Sequence, residues 1–285
     1  MDWVYQNDSR FYYGGSNAVN FYNQQTLKRR QQYPLDIEKE YEKEIDLFKE
    51  NGYIVFQQAI AHSIIDSMTE QVNRMIRDNV NLKMRDEHYA MVADPFLHVN
   101  EAFNLAFSDH MLKFAIEYFD CIPSLGTFNL RKSYVNNLDP KTTQLFHCDR
   151  NSIKFFKFFI YLNDVTGPED GPLTLIRGSH KKRPINHKNQ HRWTDREMKN
   201  LYGEDSLMYL TGRKGDLIAA TTTAYHRGTK PTRQERTMLT LNYVTHPELA
   251  GGQPGKYEKL FKIRKEQYES LPDWKRPTAD FLEKV

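Results

Sequence analysis

The pentapeptide FHCDR, residues 146–150, sets His147 and Asp149 one residue apart. On an extended strand, residues i and i+2 project to the same side, so this imidazole and this carboxylate leave the chain together while Cys148 faces the other way. Both groups bind divalent cations, and such a pair leaves the ion short of a third donor. His226 can supply it from TTTAYHRGTK, directly after the apolar segment GDLIAA. Two histidines and one carboxylate on one face of an octahedron form the facial triad of non-heme Fe(II) oxygenases, whose three open positions admit a co-substrate, dioxygen and water. H-x-D alone is a weak signal, because it arises by chance in many chains. Arg236 strengthens it, standing ten residues beyond His226 at the start of another apolar segment. An iron enzyme that uses 2-oxoglutarate needs a cation for the distal carboxylate, and the planar guanidinium makes two parallel hydrogen bonds to such a group.

Those residues must be carried by a scaffold, and the texture of the chain suggests which. From about residue 125 the segments TFNLRKSYV, QLFHCD, FFKFFIYLN, PLTLIRG, GDLIAATT and RTMLTLNYV are short and rich in aromatic and β-branched residues. Gly, Pro, Asn and Asp separate them in NNLDP, DVTGPEDGP and GRKGD, a pattern that predicts a β-barrel or jelly roll. Upstream, Ile37, Tyr41, Ile45 and Phe48 recur at helical spacing, with Gly52 as the stop. YIVFQQ reads as a strand. A second amphipathic helix carries Ile64, Met68, Val72, Met75 and Ile76, and a third is expected over 100–119. Residues 1–35, aromatic and Asn/Gln-rich, are expected to form an extended arm with LKRRQQYP exposed. An insert at 184–212 carries the helix-like HRWTDREMKNLYG. The expected fold is mainly β with flanking α-helices.

From about 125 to 246 the chain resembles the phytanoyl-CoA dioxygenase-like family of Fe(II)/2-oxoglutarate-dependent oxygenases. The resemblance rests on HCD, FIYLNDVTGPEDGPLTLIRGSHK, GDLIAATTTAYHRG and RQERTMLTLNYV, with FKENGYIVF at 48–56 similar to the family's entry. It implies a double-stranded β-helix (jelly roll) core over about 125–246, within a dioxygenase domain spanning 36–250. An N-terminal arm (1–35) and a C-terminal extension (251–285) flank it. It also implies that His147, Asp149 and His226 form the catalytic metal site for Fe(II), and that Arg236 anchors 2-oxoglutarate as co-substrate with O2. Phe159 is expected as an aromatic wall beside the co-substrate. An aspartate at 149, where Gly or Ala would leave room for chloride, fits hydroxylation. Gly228 departs from the pattern, since relatives often carry a serine there, and Thr229 or Tyr134 is expected to compensate. The implied reaction hydroxylates a C–H bond and releases succinate and CO2.

Composition narrows the alternatives. A chain of 285 residues suits one core fold with extensions, and 39% hydrophobic residues suffice for its interior. A net charge of +3 is too weak to imply nucleic acid. No apolar run approaches the roughly 18 residues of a membrane span, and the first residues lack a secretory pattern. Two cysteines cannot build a disulfide framework, so a cytoplasmic setting is expected. Arg131, Lys132, Arg150, Lys154, Arg177 and Arg227 lie near the candidate ligands, which suggests a small anionic substrate such as a carboxylated or phosphorylated metabolite or a lipid-linked sugar. An acyl-CoA is the second choice. A jelly roll that binds a metabolite without turnover, and a cupin-type isomerase or hydrolase, are the competing classes. A zinc site built on Cys148 lacks a second nearby cysteine. His180 reads as a structural residue of a turn. Lys157, inside FFKFF, reads as a second anion anchor inside the barrel or as an outward lysine at the edge, the latter slightly favoured. The insert and the arm are candidates for a lid.

Overall fold

The computed structural model describes residues 16–34, 39–149, 151–152, 154–181, 192–245 and 261–285. Residues 1–15 of the expected arm, Ile37, Arg150 and 184–191 of the insert lie outside the described residues.

Ten strands carry the site. They are β1 (Tyr53–Phe56), β2 (Leu82–Arg85), β3 (Tyr89–Val92), β4 (Ser124–Ser133), β5 (Phe155–Tyr161), β6 (Leu173–Ile176), β7 (Leu207–Leu210), β8 (Leu217–Ala220), β9 (His226–Gly228) and β10 (Arg236–Val244). Seven form one antiparallel sheet in the order β1-β8-β5-β10-β4-β3-β2, and β7-β6-β9 form a second. The two sheets pack face to face. Phe159, Tyr161, Ile218 and Met238 from the larger meet Leu173, Leu175 and Leu210 from the smaller. This is the jelly-roll arrangement that the short-strand texture predicted.

The larger sheet is buried on its other face as well, by helices α2 (Glu42–Asn51), α3 (His62–Asp78), α4 (Pro95–His98), α5 (Asn100–Ala106) and α6 (Asp109–Phe119), which follow α1 (Ser16–Gln32). Phe156, Phe158 and Ile160 of β5 pack there against Phe48, Met68 and Phe114. Fully burying one such side chain contributes about 1.5–3 kcal/mol. A strand covered on both faces loses the alternation of a half-exposed one, which is why FFKFFIY is nearly all apolar. Alternation still sorts its side chains, with Phe156, Phe158 and Ile160 toward the helices and Lys157, Phe159 and Tyr161 toward the second sheet.

Two expectations change. Residues 16–32 form a helix where an extended arm was expected. The segment lacks Gly and Pro but also lacks an apolar stripe, so periodicity gave no sign of it. Its Arg29 reaches across to the carbonyl of Pro277 at 2.7 Å, tying it to the C-terminal residues. The helix expected over 100–119 is two, and Ser108, with extended backbone (φ −68°, ψ 148°), separates them. Within the C-terminal extension, Ile263, Leu271 and Leu282 join the same core as the helices.

The DGPL segment connects scaffold to site. The Asp170 carboxylate accepts from the backbone N–H of Thr166 (2.8 Å) and Gly167 (3.2 Å) and from Arg233 Nε (2.9 Å) and Nη2 (2.7 Å). Gly171 follows with φ +76°, and a Cβ there would lie 2.7 Å from the Thr229 carbonyl oxygen, so only glycine fits this close approach. Its own carbonyl is turned to Arg236. Hydrogen bonds from Arg233, opposed by burial, hold the Asp170 carboxyl at a pKa of about 2. Its contribution to stability is therefore complete above the ordinary aspartate pKa and disappears as pH falls through 2. Asp170→Ala is expected to lower stability by about 3 kcal/mol at neutral pH. Thermal melts should show that the wild-type advantage over the variant shrinks between about pH 4 and pH 2.

Candidate metal centre

His147 and His226 are paired by their own backbones. The N–H of each donates to the carbonyl of the other at 2.9 Å, an antiparallel bridge that extends the smaller sheet beyond β9. Their side chains leave the same face, with ring centroids 4.3 Å apart. Asp149, two residues on, is held by its N–H to the Thr222 carbonyl (2.9 Å) and turns back beneath the rings. His147 Nε2 lies 3.7 Å from Asp149 Oδ1, and His226 Nε2 lies 3.4 Å from Oδ2. One ligand atom from each of the three lies within 4.8 Å of the others.

The orientation of the rings favours a cation between them. Nδ1 of His147 bonds the Leu145 carbonyl at 2.9 Å, and Nδ1 of His226 bonds that of Ala224 at 3.0 Å. A carbonyl only accepts, so each Nδ1 carries the proton and each Nε2 keeps its lone pair for the shared space. Burial, then the neighbouring His226, lowers the His147 pKa to about 3, which leaves that imidazole neutral. Burial alone would raise the Asp149 pKa, but the Lys157 ammonium holds its carboxyl well below the usual range. Two Nε2 lone pairs and one ionised carboxylate make a donor set for a divalent ion, and this combination of nitrogen and oxygen suits ferrous iron.

For Lys157 the structure selects the inward of the two alternatives. The residue does not face outward; its side chain is only 15% exposed, and Nζ lies 2.5 Å from Asp149 Oδ2. The parity of a strand buried on both faces puts it inside. Cys148 faces away from the ligands, packed on the Phe146, Met198 and Tyr225 cluster, so it offers no zinc ligand here. His180 bonds the Lys49 carbonyl at 3.2 Å, the structural role expected of it.

Arg236 opens β10 and lines the same cavity as the three ligands. Its Nη2 donates to Ser133 Oγ at 3.1 Å and its Nη1 to the Gly171 carbonyl. Its Nε is buried without a hydrogen bond. Burial lowers its pKa to about 10, and among the described residues no carboxylate forms an ion pair with it. A guanidinium desolvated this far, with no anion of its own, is suited to receive one. Phe159 lines the cavity beside it.

Tyr134 does not. It follows Ser133, and strand alternation sends it to the other side of β4, near the charges of Arg85 and Glu235. Ser133 occupies the place expected of it. Thr229 is engaged elsewhere, with Oγ1 2.6 Å from Thr174 Oγ1. Of the basic residues near the ligands, Arg227 pairs with Asp195, Lys132 with Glu235 at 2.9 Å, and Lys154 donates to the Tyr118 carbonyl at 2.7 Å. Arg177 is exposed. Arg131 alone of that described set lines the cavity.

Comparison with known proteins gives a consistent result. The family model for phytanoyl-CoA dioxygenase matches residues 48–238. Among solved structures, the fold is similar to SnoK, a non-heme alpha ketoglutarate dependent carbocyclase from nogalamycin biosynthesis. The TM-score is 0.57 at 15% identity, over 74% of this chain and 86% of that one. HygX from Streptomyces hygroscopicus, with nickel and 2-oxoglutarate bound, gives 0.56 at 14% identity over 78% and 90%. The epimerase SnoN, in complex with Fe3+, alpha ketoglutarate and nogalamycin RO, gives 0.56 at 15% over 71% and 82%. At such identities these structures establish the fold alone. No curated protein matches the chain by sequence. Among the described residues, no helix is long and apolar enough to cross a membrane.

Proposed function

The chain belongs to the phytanoyl-CoA dioxygenase family of Fe(II)- and 2-oxoglutarate-dependent oxygenases, and from that premise we propose that it hydroxylates a C–H bond of a small anionic substrate, releasing succinate and CO2. The observation that carries this reading is the convergence of His147, Asp149 and His226 in one cavity with a buried Arg236 that has no carboxylate partner among the described residues.

Ferrous iron, when bound, activates dioxygen for the oxidation while 2-oxoglutarate is decarboxylated. The protein's part is to hold and shield. His147 and His226 present Nε2 lone pairs in orientations fixed by backbone carbonyls. Asp149 supplies the single negative charge, steadied by Lys157. Arg236 and Ser133 receive the distal carboxylate of the co-substrate, and Phe159 keeps water from its flank.

Charge supports an anionic substrate. Arg131, Lys157 and Arg236 line the cavity against one carboxylate, Asp149, which leaves two positive charges in excess. A ferrous ion and the dianionic co-substrate cancel each other, so the excess remains for the substrate. In a confined cavity such a field concentrates anions. Carboxylated or phosphorylated metabolites and lipid-linked sugars fit this; an acyl-CoA does so through its phosphates.

The test is anaerobic reconstitution with Fe(II), admission of oxygen, and measurement of succinate with pools of anionic and neutral metabolites. Anionic pools should stimulate succinate formation and yield products one oxygen heavier. Stimulation by neutral pools alone would overturn the substrate class. Absence of any 2-oxoglutarate consumption would favour a binding protein without turnover.

A further inference from the structure

Arg131 adds to the cavity's charge, but the proposed reaction gives its guanidinium no specific contact. Cross-strand register sets Arg236 opposite Ser133 and Met238 opposite Arg131, so the two arginines rise from neighbouring rows on one inner face. Side chains so related stand roughly 5–8 Å apart at Cβ, within reach of one shared group. Arg131 Nη1 donates to Thr143 Oγ1 at 3.1 Å, and its guanidinium lies 4.4 Å from the centre of the Tyr89 ring. Its Nε is shut off from water and makes no hydrogen bond. Asp86, a carboxylate whose charge it feels, is engaged by Lys141 at 3.0 Å.

Gly228 lies beside Arg236 and beside the residue that holds Arg131. A Cβ at that position would lie 3.4 Å from Arg236 Nη2 and 3.9 Å from the carbonyl oxygen of Thr143, the residue whose hydroxyl holds Arg131. The glycine thus leaves room beside Arg236 and the Thr143 backbone. Two like charges are drawn together here, and that of Arg131 is among the causes, after burial, that pull the Arg236 pKa down. Such a pair is unfavourable until an anion enters between its members.

We infer that Arg131 is a second guanidinium on the distal carboxylate of 2-oxoglutarate, acting with Arg236 and occupying the place a serine at 228 would otherwise serve. The assignment rests on the proposed function. It makes the co-substrate site a two-arginine clamp that selects a keto-diacid over a 2-oxo acid with an uncharged tail.

Calorimetric titration of the nickel-loaded full-length chain tests this without turnover. 2-Oxoglutarate and 2-oxopentanoate, which lacks the distal carboxylate, are the two probes. Arg131→Met should weaken 2-oxoglutarate at least tenfold and 2-oxopentanoate less than threefold, retained binding of the second probe also showing that the variant is folded. Arg131→Lys should recover part of the loss, and Thr143→Ala, which frees the arginine without removing it, should weaken 2-oxoglutarate two- to fivefold. Wild-type affinity for 2-oxoglutarate in both Arg131→Met and Thr143→Ala would overturn the clamp. If Arg131→Met does not fold, wild-type affinity in Thr143→Ala and Arg131→Lys decides against it. A wild-type protein that binds no 2-oxoglutarate at all would instead overturn the proposed function, and the clamp with it.

Discussion

Asp149→Ala is expected to abolish iron retention and to lower 2-oxoglutarate-dependent succinate formation by about 1,000-fold or more. The variant removes the one anionic ligand and leaves the Lys157 ammonium, previously 2.5 Å from Oδ2, directed at the metal position. Breaking one buried charge contact costs about 3–5 kcal/mol, and each 1.36 kcal/mol is a factor of ten. Here the loss of an attraction and the exposure of a repulsion act in the same direction. Thermal melts give a readout independent of turnover. Added Fe(II) should raise the wild-type midpoint by mass action, as any ligand of the native state does, and should leave that of Asp149→Ala unmoved. His180→Ala is the control, since its ring bonds the Lys49 carbonyl and lies outside the metal group. It should respond to iron as the wild type does. A midpoint shift in Asp149→Ala equal to that of the wild type would remove Asp149 from the ligand set.

Arg236→Met is expected to weaken 2-oxoglutarate binding by 100-fold or more, and at the same time to leave the protein without co-substrate no less stable. The first effect follows from the loss of a desolvated, fork-shaped partner for a carboxylate, worth about 3–5 kcal/mol. The second follows from the state of the arginine before its anion arrives: it is buried, its Nε makes no hydrogen bond, and burial has lowered its pKa to about 10. An apolar side chain of similar length removes that desolvation cost. Opposite signs for affinity and stability are the mark of a residue retained for binding at the expense of the fold. Titration calorimetry and melts on the same preparations check both. A variant that lost stability and kept its affinity would identify Arg236 as a structural arginine.

Much of this site was legible in the sequence because its parts are local. His147 and Asp149 lie two apart on an extended segment, and the i, i+2 rule alone puts them on one side. His226 and Arg236 each border a short apolar run that reads as a strand without reference to anything distant. What escaped depended on pairing between remote segments. Ser133, not Tyr134, meets Arg236 because β10 aligns Arg236 with Ser133, a register between residues over one hundred apart in sequence. A shift of one residue exchanges the two faces of a strand, and neither strand alone declares its choice. The direction of Lys157 stayed open between two alternatives for a related reason, since a strand covered on both sides carries no polar face from which to read it. The helix over 16–32 escaped because its sequence has no apolar stripe; it is held by side-chain reach, such as Arg29 to Pro277, which no periodicity records.

Main-chain oxygens at Leu145 and Ala224, not neighbouring side chains, aim the two imidazoles. The oxidising centre is thereby insulated from the amino acids that shape the substrate's surroundings. Asn129, Met238 and Thr240 line the cavity from the opposite sheet and have no part in steering either ring. Their identities can drift while the grip on the metal persists. A scaffold divided in this way can acquire new substrates in single mutational steps without passing through an inactive ancestor.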